Sequence, residues 1–523
     1  MLNPMTNVAE IRTSELAATL SLAADLGIGQ PMGHGLRSCL LATRLAERLG
    51  LPAEERRTTY YVALLRWAGC TSDARLLAGW FGDDIRARRD AFLMDFASPT
   101  KMLGFMAGQA GAGRSALGRA GALASMIRAG PRAQAESARG SCEVSRLIAD
   151  RLGLASAVQE ALDFTFERWD GRGVPSGAAR DEIPVPARIV QVTDIAEGLA
   201  GDDAAQVREE LRRRAGKALD PEIVEHVASA IADAAPSGDE DAWPAVMAAD
   251  PGPAHTLRDA ALDAAIAAIA DFIDLKSQHM AGHSRAVAEL AGTAVAELGA
   301  GVNATANLRR AAWVHDLGIV GLSNGILDKP GPLSQAEWEQ MRLHPYVTER
   351  ILSRSATLAS IGATASLHHE RLDGSGYHRG STGATLPHEA RVLAAAEAYQ
   401  GMVETRAHRP ARQPAEAASE LRRAAKRAEL DGPATEAVLV AAGHEERHRR
   451  PWPFGLTERE VEVVRLIADG MTTREIATTL SISAKTADHH VQHIYGKLDV
   501  SSRPGVALLA MEHGLIGQRG FQI

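Results

Sequence analysis

Apolar residues recur at helical spacing across residues 13–50 and 257–299, and again across 207–233 and 415–442, so each half of the chain opens and closes with helices. The two halves share one pattern. GHGLRSCLLATRLAERLGL, with His34, lies on GHSRAVAELAGTAVAELGA, with His283, and ALLRWAGC lies on AWVHDLGI at the same offset of 249 residues. Further along, ERWDGRGVPSG at Glu167 lies on ERLDGSGYHRG at Glu370, where the offset has fallen to 203. The first half therefore carries 46 extra residues (249 less 203), expected around GWFGDDIRARRDAFLMDFASPTKMLGFMAGQAGAGRSALG. LRRRAGKALDPEIVEHVASA at Leu211 also resembles LRRAAKRAELDGPATEAVLVAAG at Leu421, so the duplication covers most of the chain.

Proline, glycine and aspartate concentrate in residues 236–255 and predict a linker; breakers and basic residues predict a second at 446–455. These divide the chain into domains at 1–235, 256–445 and 456–523. In the last, Val461, Val464, Leu466 and Ile467, then Ile476, Ala477 and Leu480, predict two short helices broken at DGMT. Thr457 with Glu460 and Thr472 with Glu475 form capping boxes, and Ser483 caps a third helix whose Val491, Ile494 and Leu498 face inward. Short turns between such helices predict a helix-turn-helix arrangement.

Composition narrows the class. With 46% hydrophobic and 23% charged residues in 523, the chain is globular and multidomain, and its abundant alanine favours closely packed helices. The expected fold is almost entirely α. A net charge of −8 gives no global attraction to nucleic acid, so DNA binding must come from a local face. Cys39, Cys70 and Cys142 are isolated, which argues against structural disulfides and a zinc ribbon. The first thirty residues lack a signal-peptide pattern, and AALDAAIAAIADFI, interrupted by Asp263 and Asp271, is too short to span a bilayer. The expectation is a soluble cytoplasmic protein without a membrane partner.

Chemistry concentrates in the second half, at His283, His315-Asp316, His344 and His368-His369. Several imidazoles around a carboxylate suit intermediate transition metals, with the carboxylate able to bridge two ions. Neighbours on a helix diverge by about 100°, so His315 and Asp316 flank a dinuclear site rather than clip one ion. The alternative for any single histidine is a helix cap or polar core position, which six at this spacing do not suit.

Through HDLGIVGLSNGILDKPGPLS, RLHP and HHERLDGSGY, the second domain resembles the HD-GYP family, metal-dependent phosphodiesterases associated with cyclic di-GMP. The resemblance implies metal ligands at His283, His315, Asp316, His344, His368, His369 and Glu397, with Asp316 also the candidate catalytic carboxylate. It implies two iron or manganese ions, or three if His279, at the position of a family glutamate, takes part. Three positions depart from the family. Ile319 replaces a lysine that would stabilise phosphate charge, a loss typically costing roughly two to three orders of magnitude in rate. His378 replaces the proline of GYP, and Gln400 replaces an acidic residue.

The first half keeps the frame but lacks most of these groups. Arg66-Trp67 stands at the HD position, Thr165-Phe166 at the HH position and Cys142 near the His344 position; only His34 and Asp194 survive. Arg66 repels a cation, so this domain is expected to be metal-free, serving as a sensor, a dimerisation surface or a packing partner.

Residues 456–523 resemble the LuxR-type DNA-binding domain through LTEREVEV, REIA, SAKT and KLDVSSR. The resemblance places the helix from Ala484 to Lys497 in the major groove, with Lys485, Asp488, His489 and Gln492 towards bases. Thr473, Thr486, Lys497 and Arg503 are then phosphate-contact candidates. Ala487 stands where the family prefers valine.

The combined expectation is a homodimeric transcriptional regulator of double-stranded DNA, controlled by a metal-containing module that senses a small-molecule or cyclic-nucleotide effector. The rival is an active cyclic di-GMP or other phosphodiester phosphodiesterase with a DNA-binding tail; a third possibility is a di-iron oxygenase.

Overall fold

Equivalent sequence positions build equivalent helices. The computed structural model describes residues 10–95, 98–201, 203–230, 239–443, 452–513 and 515. Within them the two halves pair Thr13–Gly27 with Asp259–Asp274, His34–Arg48 with His283–Glu297, and Ala53–Leu65 with Val302–Val314. After the length difference, Ser156–Leu162 pairs with Ala359–Ala365 and Val185–Gly198 with His388–Val403. The fold is all-α apart from short strands.

By its contacts the chain divides into two compact units, the first running from Glu10 to Ala265. Its two strands, Glu10–Arg12 and Thr256–Arg258, pair antiparallel with Ile11 opposite Leu257. This revises the linker expected at 236–255. Residues Asp239–Ala248 are a helix of this unit, and the Tyr60 hydroxyl donates to the Val246 carbonyl at 3.0 Å. Residues 236–238 of that stretch lie outside the described residues, as do 446–451 and 516–523.

The extra residues of the first half form helices Ala74–Phe81, Asp84–Ala91 and Pro99–Gln109, then the opening of a long helix Ala116–Arg151 bent at Gly130. Phe81, Ala87, Ala110 and Met126 give them a small apolar core of their own.

In the second unit Val287, Leu308, Val392, Leu393, Leu421 and Val438 form the main core, and Ala288, Ala291, Ala395 and Ala434 let the helices approach closely. The C-terminal domain packs Val461, Ile467, Ile476, Val491, Ile494 and Val506 into a separate core. Its four helices are Glu458–Ala468, Thr473–Thr479, Ala484–Leu498 and Arg503–Glu512. Both expected capping boxes form, and Ser483 accepts from the Thr486 amide. Ala487 is fully buried there. Among the described residues no helix is long and apolar enough to cross a membrane.

Two glycines set the frame for the site. A Cβ on Gly318 would lie 2.1 Å from the His344 carbonyl oxygen, and one on Gly69 would lie 2.0 Å from that of Ser141. Only glycine permits so close an approach. The pairing puts Ser141, beside Cys142, at the position of His344. Thr348 Oγ1 completes the junction in the second half, accepting from the Gly318 amide at 2.9 Å and donating to the His315 carbonyl at 3.0 Å.

Gly69→Ala and Gly318→Ala should each lower unfolding free energy by about 1–3 kcal/mol through overpacking. Gly121→Ala, whose added methyl meets open space, should change it far less. Denaturant titration of the three variants checks this.

Candidate metal centre and nucleic-acid interface

His283 opens its helix, His315 and Asp316 follow the helix Val302–Val314, His344 opens His344–Leu352, and His368-His369 follow Ala359–Ala365. Helix ends thus deliver nearly every ligand, while Glu397 projects from within His388–Val403. The side chains converge in two groups: His283, His315 and Glu397, all buried, and Asp316, His344, His368 and His369, of which only His369 is partly exposed. His279 belongs to neither group.

Asp316 joins the groups. Its Oδ1 lies 3.2 Å from His344 Nε2 and 3.3 Å from His368 Nε2. Its Oδ2 lies 3.3 Å from His315 Nε2 and 3.7 Å from His283 Nε2. Glu397 Oε2 stands 3.0 Å from His283 Nε2 and 3.5 Å from His315 Nε2.

Backbone carbonyls orient the rings. Nδ1 of His315, His344 and His368 donates to the carbonyls of Ala312 (2.7 Å), Met341 (2.6 Å) and Ala365 (2.6 Å), which turns each Nε2 inward. Such outer hydrogen bonds fix the tautomer and direction of metal-binding imidazoles. His344 Nε2 and His368 Nε2 then face each other across 3.0 Å. That is the spacing of two nitrogen ligands held about 2.1 Å from one ion at roughly a right angle. His283 Nε2, His315 Nε2, Asp316 Oδ1 and Glu397 Oε2 are buried without a hydrogen-bond partner. Buried polar atoms of this kind call for an occupant, and the donor set of imidazole and carboxylate fits two transition-metal cations.

Protons occupy part of that role in the free protein. Burial pulls the His315 imidazole down, yet the carboxylates of Asp316 and Glu397 outweigh it and raise its pKa to about 10. Burial likewise opposes protonation of His283, and Glu404 and Glu397 reverse the balance, raising it well above the usual range. His368 has the opposite outcome: burial lowers it to about 4. Burial, reinforced by His368 and His344, also lowers His369.

Sequence reading missed Glu404. Its Oε2 accepts from His283 Nδ1 at 2.9 Å and its Oε1 accepts from Gln400 Nε2 at 2.7 Å. The carboxylate absent at Gln400 is thus supplied one helical turn later. Arg406, 3.0 Å from Glu404 Oε2, holds it from the other side. Glu397, Gln400 and Glu404 share a helix face, which was the available signal. Ile319 is buried beside Met280, Leu322, Leu327 and Met341, and its aliphatic side chain carries no cation. His378 meets Tyr346, with ring centroids 5.6 Å apart.

The corresponding place in the first half is filled. Asp194 receives His34 Nε2 at 3.0 Å and Trp67 Nε1 at 3.2 Å, and Arg66 Nε lies 3.3 Å from its other oxygen. Burial opposes ionisation of Asp194, but Arg66 and His34 lower its pKa. Phe92, from the extra residues, packs edge-on against His34 at 5.2 Å and beside Trp67 at 5.9 Å. A guanidinium and an aromatic ring thus stand where the second half has its cluster of candidate metal ligands.

On the helix Ala484–Leu498, Lys485, Thr486, Asp488, His489 and Gln492 are exposed, and His493 joins them, its ring 4.1 Å from that of His489. Thr473 and Arg503 bind one another, with Nη2 to Oγ1 at 2.9 Å. Lys497 also has partners within the domain: its ammonium donates to Glu460 Oε2 at 2.7 Å and to the Gly455 carbonyl at 2.9 Å.

These features define a buried cluster of candidate metal ligands followed by a compact helical domain. Comparison agrees with both parts: residues 267–433 match the HD domain family, and residues 455–510 match the bacterial regulatory proteins of the luxR family. The 3'3'-cGAMP-specific phosphodiesterase 3 of Vibrio cholerae is 29% identical over 403 residues, covering 76% of this chain and 88% of that protein. A cyclic di-GMP phosphodiesterase of Thermotoga maritima is 37% identical over 129 residues, covering 24% of this chain and 35% of that protein. In fold, the chain is similar to the crystal structure of a cyclic GMP-AMP specific phosphodiesterase of V. cholerae, with a TM-score of 0.57 at 24% identity, covering 84% of this chain and 99% of that one. The chain joins an HD domain to a C-terminal LuxR-type domain and is homologous to the HD-GYP phosphodiesterases.

Metal uptake must displace protons from His283 and His315, because a coordinated imidazole is deprotonated. Apparent affinity should therefore rise with pH towards about 10, the His315 value, with proton release measurable by calorimetry in buffers of different ionisation enthalpy. Asp316→Ala should abolish metal uptake, and His34→Ala should leave it unchanged, as read by elemental analysis.

Proposed function

We propose that the protein is a DNA-binding transcriptional regulator whose HD-GYP-like domain holds two transition-metal ions, iron or manganese, and binds a cyclic dinucleotide as effector. The observation that carries the metal assignment is the set of buried, unpartnered ligand atoms around Asp316. In this reading His283, His315 and Glu397 would hold one ion and His344, His368 and His369 the other, with Asp316 shared between them; when bound, the ions would supply Lewis acidity at a phosphodiester. The relatives' phosphodiesterase names support the ligand class. The LuxR-type domain supports the output, with Lys485, Asp488, His489 and Gln492 reading bases as one of two copies on a pseudo-palindromic site.

Ile319 separates this reading from that of a fast enzyme. The buried isoleucine provides no charge for a phosphate, and one missing electrostatic stabiliser costs roughly two to three orders of magnitude. The second reading is an active phosphodiesterase located by its DNA-binding tail. The complete ligand set and the 88% coverage of a phosphodiesterase favour that alternative.

Hydrolysis of 3'3'-cGAMP and cyclic di-GMP by the metal-loaded chain should be slow, and Ile319→Lys should raise it at least about tenfold, on the scale of one restored stabiliser. Fast wild-type turnover abolished by Asp316→Ala establishes the enzyme reading instead. On DNA, Lys485→Ala and His489→Ala should change base preference, and Arg503→Ala should weaken all sequences alike. Lys497→Ala should instead lower the domain's melting temperature by stranding Glu460. Selection from a randomised DNA library and thermal melts check these outcomes; no enriched motif would remove the regulator reading.

A further inference from the structure

Two ion positions of equal ligand count need not be equal in strength, and the partners of their histidines differ. His315, His344 and His368 each give Nδ1 to a neutral carbonyl. His283 alone among these four gives Nδ1 to a carboxylate, that of Glu404 at 2.9 Å. That carboxylate is buried and held in place by Gln400 at 2.7 Å and Arg406 at 3.0 Å. A carboxylate behind a coordinating imidazole raises its basicity and fixes its orientation, and removing such a partner typically costs about 10–100-fold in metal affinity.

The ligands themselves add to the difference. The position of His283 and His315 has Glu397 as well as Asp316 Oδ2, and all its side chains are buried. The position of His344, His368 and His369 has only Asp316 Oδ1 as an anionic ligand, and His369 is partly exposed.

We propose that Glu404 is a positioning residue for His283 that makes the dinuclear site unequal: the His283–His315–Glu397 position fills first and tightly, and the His344–His368–His369 position is the exchangeable one. This rests on the reading that the pocket holds two ions. Exchange at the second position then changes the charge beside the partly exposed His369 while the first ion remains in place. Such an arrangement lets metal availability act on the pocket without emptying it.

The test is equilibrium titration of the full-length protein with Mn(II), followed by calorimetry and by electron paramagnetic resonance at one and two equivalents. Wild type should take up two ions in resolved steps, with the six-line signal of an isolated ion at one equivalent and a coupled pair at two. Glu404→Gln should weaken the tighter step about 10–100-fold, leave the weaker step within about threefold, and mix isolated and coupled signals at one equivalent. Glu404→Asp, which keeps the charge on a shorter stem, should restore part of the loss. His369→Ala should remove the weaker step and retain the tighter. Circular dichroism melts confirm that each variant folds. An unchanged tighter step in Glu404→Gln, or equal weakening of both steps, overturns the proposal. Two identical, unresolved wild-type steps overturn it too and leave the metal reading standing, whereas no uptake by wild type overturns the metal reading itself.

Discussion

The second half is organised around a buried carboxylate that four imidazoles approach from two sides. Asp316 presents each oxygen to a different histidine pair, and burial makes every charge in the group costly unless another answers it. The helix ends that deliver these side chains can converge only because Gly318 lets the backbone after Asp316 touch the His344 carbonyl. Ligand geometry and backbone packing are therefore one constraint. A larger residue at Gly318 would move His315, Asp316 and His344 together.

The first half shows the same constraint met by other means. Gly69 makes the equivalent close approach, and Glu167 anchors Ser176 and Gly177 much as Glu370 anchors Arg379 and Ser381. The surviving carboxylate, Asp194, still needs positive charge, and Arg66 provides it from a covalently attached side chain. Phe92 fills the space beside His34 and Trp67. A guanidinium fixed in the fold meets the electrostatic demand permanently in one half, whereas in the other Asp316 faces imidazoles. That division favours a packing role for the first half over a metal-dependent one.

In the C-terminal domain the electrostatics are mostly internal. Glu460 closes a capping box with Thr457 and also receives Lys497, and Arg503 spans the turn between the first two helices through Met471 and Thr473. The exposed residues of Ala484–Leu498 include Lys485, Asp488 and the His489–His493 pair, and Lys497, which also pairs with Glu460. Few cations imply a modest salt dependence and place more weight on base contacts.

What the sequence determined by itself was whatever depends on spacing along the chain. Helical periodicity, the duplicated glycines, the two capping boxes and the histidine–aspartate cluster from His283 to His369 are all set by neighbours a few residues apart or by a repeated frame. Tertiary structure decided what depends on direction across the fold. Glu404 became the partner of His283 because its helix turns that face towards the pocket, although 121 residues separate the two. Lys497 was paired with Glu460 across 37 residues, and the expected linker became a helix because Tyr60 and its neighbours offered it an apolar surface. Phe92 reached the emptied pocket from residues that align with nothing in the second half. Each of these is a choice among partners equally available by composition, and only the packed chain, by bringing distant groups together and removing water from between them, selects one.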